Sequence, residues 1–431
     1  MICYRAIKTK LTLYPKQQTD MKTKSPLMIM LIMLIFFVIS FLTNILGPII
    51  PDIIKSFSLG IGLAGFLPFS FFIAYGIMSV PAGLLIEKYS EKTVMISAFI
   101  LAFAGALLFA VFPRFSVALP SLFIIGIGMA MLQVAINPLL RHSGGGENFA
   151  FYSVLAQLVF GLASFLSPQL YSYLVHNVHS GNTSLFIRIL DPIVPTNLEW
   201  ASLYWVFALV VLAIIVVIWL IKFPKVELLE DEKIETGQAF RELLRNRQVI
   251  LFFIGIFAYV GTEQGIANWT SKFLQTYHNL DPATTGANVI SYFWGLLTLG
   301  CLLGLLLLKL IDSRKVLLVF TSFAIITLAF ALFGSATVSI YAFPLTGFFL
   351  SVMWSVIFSL ALNSVPAHHG SFSGILCTAI LGGAVVPLLI GGIGELAGLK
   401  FSMLLLFATL GYIFSIGIWA KPLITNKTFN A

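Results

Sequence analysis

An all-α integral membrane protein of twelve transmembrane helices in two six-helix pseudo-repeat halves is the fold the sequence predicts, and three observations carry it. The 431 residues are 59% hydrophobic and only 10% charged, against about 25% charged in a soluble domain. The apolar residues run in long segments, near the roughly 20 that a helix needs to cross a bilayer core of about 30 Å. Short sequences from the first half then recur, in the same order, in the second.

Reading hydrophobic runs between polar breaks places the spans at 27–50, 61–86, 94–112, 117–140, 150–175, 202–221, 249–274, 286–308, 316–334, 338–362, 372–394 and 399–420. Twelve spans put both termini on one side, and 20 of the 25 Lys and Arg residues fall there. Lys55, Arg114, Arg188, Lys272 and Lys400 fall opposite. The positive-inside rule then predicts cytoplasmic termini in a plasma membrane, expected to be a bacterial inner membrane. The expected division is a tail over 1–26, a first half over 27–221, a linker over 222–248, a second half over 249–420 and a tail over 421–431.

The first twenty residues lack the apolar core of a signal peptide, and MKTKSPL restarts with a second Met, so Met1 and Met21 both stand as starts. The charged run FPKVELLEDEKIETGQAFRELLRNRQ reads as a solvated linker containing an interfacial helix. Cys3, Cys301 and Cys377 lie too far apart to form a disulfide framework and read as bystanders. The formal charge of +8 is spread between spans instead of gathered on one module, so no nucleic-acid partner is expected. Asn182-Thr183-Ser184 matches a glycosylation sequon, a motif with many false positives.

The repeat has chemistry in it. Span 4 ends in NPLLRHSG from Asn137 and span 10 in NSVPAHHG from Asn363, so Asn, His and Gly recur at an offset of 226 residues. GLLIEKYSEK from Gly83 follows span 2, and GLLLLKLIDSRK from Gly304 follows span 8, with Lys88 and Lys309 each five residues after the Gly. Two six-span halves repeated about an axis along the membrane normal are the architecture of major facilitator transporters, whose substrate site lies between the halves. Gly83 and Gly304 would let helices approach closely, while Glu87, Lys88, Lys92 and Lys309 would bridge helix ends as cytoplasmic gating loops.

Acidic and basic side chains nearly vanish away from span ends. Asp52, Glu87, Arg141 and Glu395 read as rim residues that reach water. Glu263, in AYVGTEQGIANW, lies 14 residues beyond Val249, about 21 Å along a helix rising 1.5 Å per residue. A charge at that depth costs at least about 2.5–3.5 kcal/mol, which makes it a functional candidate by default. A carboxyl that is neutral where sealed and ionised where wetted suits a carrier of a coupling proton. A neutral Glu hydrogen-bonded to a neighbouring helix is the bland alternative.

Asn44, Gln133, Asn137, Gln157, Gln264 and Asn268 are amides that lipid cannot satisfy, so they should face the interior. Gln133 and Asn137 are four apart on one helical face, as are Gln264 and Asn268. Amides suit hydroxyl groups, and Tyr75, Trp269 or Trp294 would offer an apolar face to a sugar ring. Interhelical glue is the alternative for each amide. Gly and Pro interruptions in NILGPIIP, SVPAG, AINP and GGAVVPLLIGG allow bends in helices that must rock.

AYGIMSVPAG in span 2, MLQVAINP in span 4, YVGTEQGIANW in span 7, and IFSLALNSV with GGAVVPLLIGG in spans 10 and 11 resemble the fucose/galactose/glucose:proton symporter family of the major facilitator superfamily. The resemblance implies a sugar-like substrate, alternating access and proton coupling. Asn137, Tyr75 and Asn363 match its pattern. In its fucose permease branch a Glu lies at the position of Gln133 and an Asp near Gly47, and a Gly-Arg-x-x-Gly segment has its Arg where Cys301 stands. Those acids are missing here, so a coupling proton would have moved to Glu263.

The expectation is therefore a secondary transporter importing a monosaccharide or similar polyhydroxy solute, a functional monomer without cofactor, with H+ as coupling ion and Na+ as the alternative. An uncoupled facilitator and an exporter of hydrophobic compounds are the runners-up. An enzyme is not expected, since no nucleophile, metal cluster or phosphate loop stands out and the His residues are dispersed.

Overall fold

The computed structural model describes residues 26–144, 149–182, 184–223, 238–365 and 369–422. The proposed alternative start, most of the linker, Thr183 of the sequon and His368 of the span 10 repeat lie outside the described residues, as do the side chains of Glu87, Asn137, Arg141 and Lys309. Among the described residues, twelve helices are long and apolar enough to cross a membrane. Spans 1 to 6 are Pro26–Phe57, Ile61–Ile86, Glu91–Val111, Phe115–Ile136, Leu155–Asn177 and Glu199–Leu220. Spans 7 to 12 are Arg247–His278, Pro282–Leu308, Ser313–Phe333, Ala336–Leu362, Phe372–Ala397 and Leu399–Trp419. A short amphipathic helix, Gln238–Arg245, precedes span 7.

Chain-wide hydrophobicity makes the helices, and side-chain caps set several of their ends. Asn246 accepts the Gln248 amide at 2.9 Å where span 7 begins, and Asp312 accepts the Arg314 amide at 2.8 Å where span 9 begins, each satisfying one free helix N–H. Arg314 also pairs with Asp312 at 3.2 Å, and this partner holds the Asp312 carboxyl below the usual carboxylate range.

Spans 1 and 7 extend further than the sequence reading placed them, to Phe57 and His278. In span 1 the helix breaks at Asn44 and Ile45 and restarts at Leu46. Pro48 is tolerated there because the first turn has no intrahelical partner for its missing N–H. Asp52 stands in the last two turns of this extension, half-buried. Asp52 lies inside span 1, and the Tyr171 hydroxyl of span 5 donates to its carboxylate. Span 10 breaks after Leu350 and resumes at Met353. Span 11 passes through a tight turn, Ala379–Leu381, before Gly382.

Within the first six spans, span 1 packs on span 5, and span 4 on spans 2 and 3. The second six repeat the scheme, with span 7 on span 11 and span 10 on spans 8 and 9. The groups of six meet along spans 5 and 8, 2 and 11, and 1 and 7. Two glycines make the closest crossings possible. A Cβ on Gly47 of span 1 would run into the Ala267 carbonyl of span 7, and one on Gly382 of span 11 into the Phe257 carbonyl of span 7.

A cavity between the halves

Among the described residues, side-chain hydrogen bonds join the two groups of six near one end of the molecule. Call the face where span 1 begins and span 12 ends the terminal face. Near the opposite face Gln169 of span 5 donates to Asn288 at 2.7 Å and to Ser291 at 3.1 Å, both on span 8. The exposed Glu395 of span 11 does more than reach water: it accepts the Gly62 amide at the start of span 2, at 2.9 Å. Gly391 packs against Ile61 and Gly65 across the same seam.

Below that seam a cavity of about 680 Å³ opens between the halves. Its walls run from the middle of spans 1, 2, 7 and 8 to Leu308 and Asn363, which lie at the terminal-face ends of spans 8 and 10. Among the described residues, the bonds between the halves thus lie towards the opposite face, and the cavity extends towards the terminal face.

Glu263 stands at the middle of the 32-residue span 7 and lines this cavity, half-buried. The Tyr259 hydroxyl donates to its Oε2 at 2.5 Å and Gln264 Nε2 to its Oε1 at 3.2 Å. The bonds to this carboxyl come from its own helix, one turn back and one residue on. Cys301 of span 8 lines the same wall, where the resembling family often has Arg. Of the described residues forming the cavity, Glu263 is the only Asp or Glu, and none is Lys, Arg or His.

The first half contributes amides and rings. Asn44, Tyr75, Gln133 and Gln157 all line the cavity. Asn44 has part of its capacity spent, because its Nδ2 donates to Ser164 of span 5 at 2.8 Å. Gln157 is exposed, and Tyr75 stacks on Phe72 with centroids 5.9 Å apart. The second half adds Gln264, Trp294 and Asn363, the last at the mouth of the cavity and 3.5 Å from the Ser359 hydroxyl. Trp294 Nε1 and Ser351 Oγ are buried with no protein partner among the described residues, and both residues border the cavity.

Two expected binding residues lie elsewhere. Trp269 is fully buried, away from the cavity, and its indole donates to the Pro387 carbonyl at 2.9 Å. It ties span 7 to span 11 at a carbonyl close to the opposite face. Asn268 is also buried outside the lining, and donates to the Gln264 backbone oxygen at 2.8 Å and to its side-chain oxygen at 3.3 Å. Both follow Glu263 by more than a helical turn, so they reach the sealed layer where helix packs on helix.

Of the expected gating residues, Gly83 is buried and Lys88 is exposed over the Tyr89 ring at 5.2 Å. Lys92 bridges helix ends within the first half, donating to the Trp219 and Ile221 carbonyls of span 6 at 2.9 and 2.7 Å. Gly304 borders the cavity and packs on Val352 at the break in span 10. Sequence reasoning missed Tyr259 and Trp354. Trp354 lines the cavity and stacks on Phe358 at 5.8 Å. The aromatic pair at i and i+4 was the signal available for it, in a segment that is apolar throughout.

Known proteins agree with this architecture. Residues 32–387 match the Major Facilitator Superfamily. A glucose/galactose transporter of Brucella abortus is 30% identical over 397 residues, covering 89% of this chain and 92% of that protein. The L-fucose-proton symporter of Escherichia coli is 25% identical over 385 residues, covering 84% and 86%. The crystal structure of the E. coli fucose:proton symporter superimposes with a TM-score of 0.65 at 23% identity, over 93% of this chain and 100% of that one. The chain belongs to the major facilitator superfamily of membrane transporters, in its fucose permease-like branch.

Proposed function

We propose that this protein is a secondary transporter of a monosaccharide or similar polyhydroxy solute, working by alternating access and coupled to protons through Glu263. The observation that carries the reading is a half-buried carboxyl at mid-membrane, facing a cavity between the halves with no cation among the described residues of its walls. Such a group changes protonation when the cavity changes the side on which it meets water. Asn44, Gln133, Gln157, Gln264 and Asn363 supply donors and acceptors for hydroxyls, while Tyr75, Trp294 and Trp354 supply faces for a ring. The names of the similar glucose/galactose and fucose transporters support a hexose.

The Lys and Arg distribution supports cytoplasmic termini, so the open side of the cavity is the cytoplasmic one and the structure is the inward-facing state. We place the protein in a bacterial inner membrane as a functional monomer, its halves 27–221 and 249–420 joined by the linker 222–248. Gly83, Glu87, Lys88, Lys92, Gly304 and Lys309, which stand on helices near span ends and not in loops, flank its cytoplasmic gate.

Uptake into reconstituted vesicles tests the reading, with labelled D-glucose, D-galactose and L-fucose under an imposed pH or sodium gradient. A pH gradient should drive accumulation of at least one sugar, and Glu263→Gln should abolish accumulation while retaining exchange. Equal accumulation by Glu263→Gln would sink the role of Glu263; accumulation driven only by sodium would replace the ion. No transport of any sugar would overturn the substrate class.

A further inference from the structure

Tyr259 lies one turn before Glu263, so its phenol reaches back along the helix to Oε2 at 2.5 Å. The other donor, Gln264, is itself held by the Asn268 amide at 3.3 Å. Tyr259 has a different neighbour. Its ring lies 6.2 Å from that of Trp354 on span 10, and both line the cavity. Trp354 in turn stacks on Phe358 at an interplanar angle of 22°. The phenol thus touches two things at once, the carboxyl and the aromatic wall where a sugar ring would lie.

Hydrogen bonds to an ionised carboxylate are stronger than those to a neutral one, and they favour the ionised form. Anything that draws the Tyr259 hydroxyl away from Glu263 therefore favours uptake of a proton by that carboxyl. Thr262, Thr298 and Ser364 each donate to a backbone carbonyl four residues back. Tyr259 is not committed in that way; its hydrogen bond is to the acid. Among the described residues, the other titratable groups bordering the cavity are Tyr75 on span 2 and Cys301 on span 8, and those of spans 1, 4, 5, 10 and 11 add none to its lining.

We infer that Tyr259 is the positioning residue that links solute to proton: a hydroxylated ring seated against Trp354 takes the Tyr259 hydroxyl as a partner, and Glu263 gains a proton as it loses that donor. This rests on Glu263 being the coupling carboxyl. One proton passes from water in the open cavity to a Glu263 oxygen, and no covalent bond to the solute forms. On release the proton returns to water and the phenol to the carboxylate. By linkage, solute favours proton binding to the same degree that the proton favours solute, which is the condition for symport.

The test uses the full-length protein in detergent and in vesicles, with D-galactose as probe. Wild type should take up protons when D-galactose is added to a weakly buffered solution, as read by a pH dye. Tyr259→Phe should reduce that uptake several-fold, and the alkaline edge of exchange should move up by about one pH unit, as expected for losing one charge-assisted bond. Infrared titration of the Glu263 carboxyl band, identified by its loss in Glu263→Gln, needs no solute and should show the same upward movement. An unmoved band in Tyr259→Phe, or undiminished sugar-induced proton uptake, overturns the inference. If Glu263→Gln abolishes accumulation while Tyr259→Phe behaves as wild type, Tyr259 alone is wrong. If Glu263→Gln accumulates normally, the coupling reading beneath it fails as well.

Discussion

The two walls of the cavity are built from different chemistry. The first half offers Asn44, Gln133, Gln157 and Tyr75, all neutral, with Asn44 doubling as a tie to span 5. The second half offers the carboxyl of Glu263, the phenol bound to it, and two tryptophans. A pseudo-repeat gives both halves similar helices, yet among the described residues only the second half presents an acid to the cavity. The lesson is that binding and coupling can be divided between repeats, since neutral amides recognise hydroxyls without sharing the desolvation cost of a charge.

Gly47 gives a reason for the division in the first half. An acid near this position in the resembling branch would find no room here, because a Cβ on Gly47 meets the Ala267 carbonyl and Ile290. Gly47→Ala should therefore produce the largest effect. Overpacking of about 1–3 kcal/mol against backbone opposes the closed seam and shifts the conformational balance by about tenfold or more. Uptake should fall accordingly, while a cysteine placed near the seam becomes labelled from the opposite face. Normal uptake with no new labelling would show that the seam yields easily.

A smaller effect sharpens the contrast between the walls. Gln157→Ala removes an exposed amide from the first half, and losing one or two hydrogen bonds of about 1 kcal/mol should raise KM roughly five- to thirtyfold. The accumulation ratio at saturating sugar should stay that of wild type, the reverse of the pattern for Glu263→Gln. Loss of accumulation in Gln157→Ala would erase the distinction. Trp269→Phe should change neither quantity. It loses the bond to Pro387 and some packing, about 1–3 kcal/mol of stability, to be read as a lower melting temperature in detergent with KM unchanged.

The spans were legible because each is a local property: about 20 apolar residues between polar breaks. Their ends were less so. Span 1 continues past Pro48 and Pro51 to Phe57, since Pro48 near the helix start costs little and packing against span 7 holds the remainder despite the interior Pro51. Glu263 was legible because a lone acid deep in an apolar run stands out. Trp269 was misplaced because a large aromatic near that acid suits a ring site or a sealed contact equally well. Trp354 and Tyr259 sit in segments apolar on nearly every side, where sequence periodicity does not say which face meets the cavity.

The sequence by itself determined the membrane, the number of crossings, the repeat and the depth of the one acid, because hydrophobic length and charge are read residue by residue. Only the tertiary structure decided where the halves are bonded together, which amides line the cavity, and that a phenol stands between the carboxyl and an aromatic wall. Those outcomes depend on how each helix is rotated against its neighbours. Close packing between helices sets that rotation, and lipid, as apolar as the side chains it meets, leaves no record of it in the pattern of the chain.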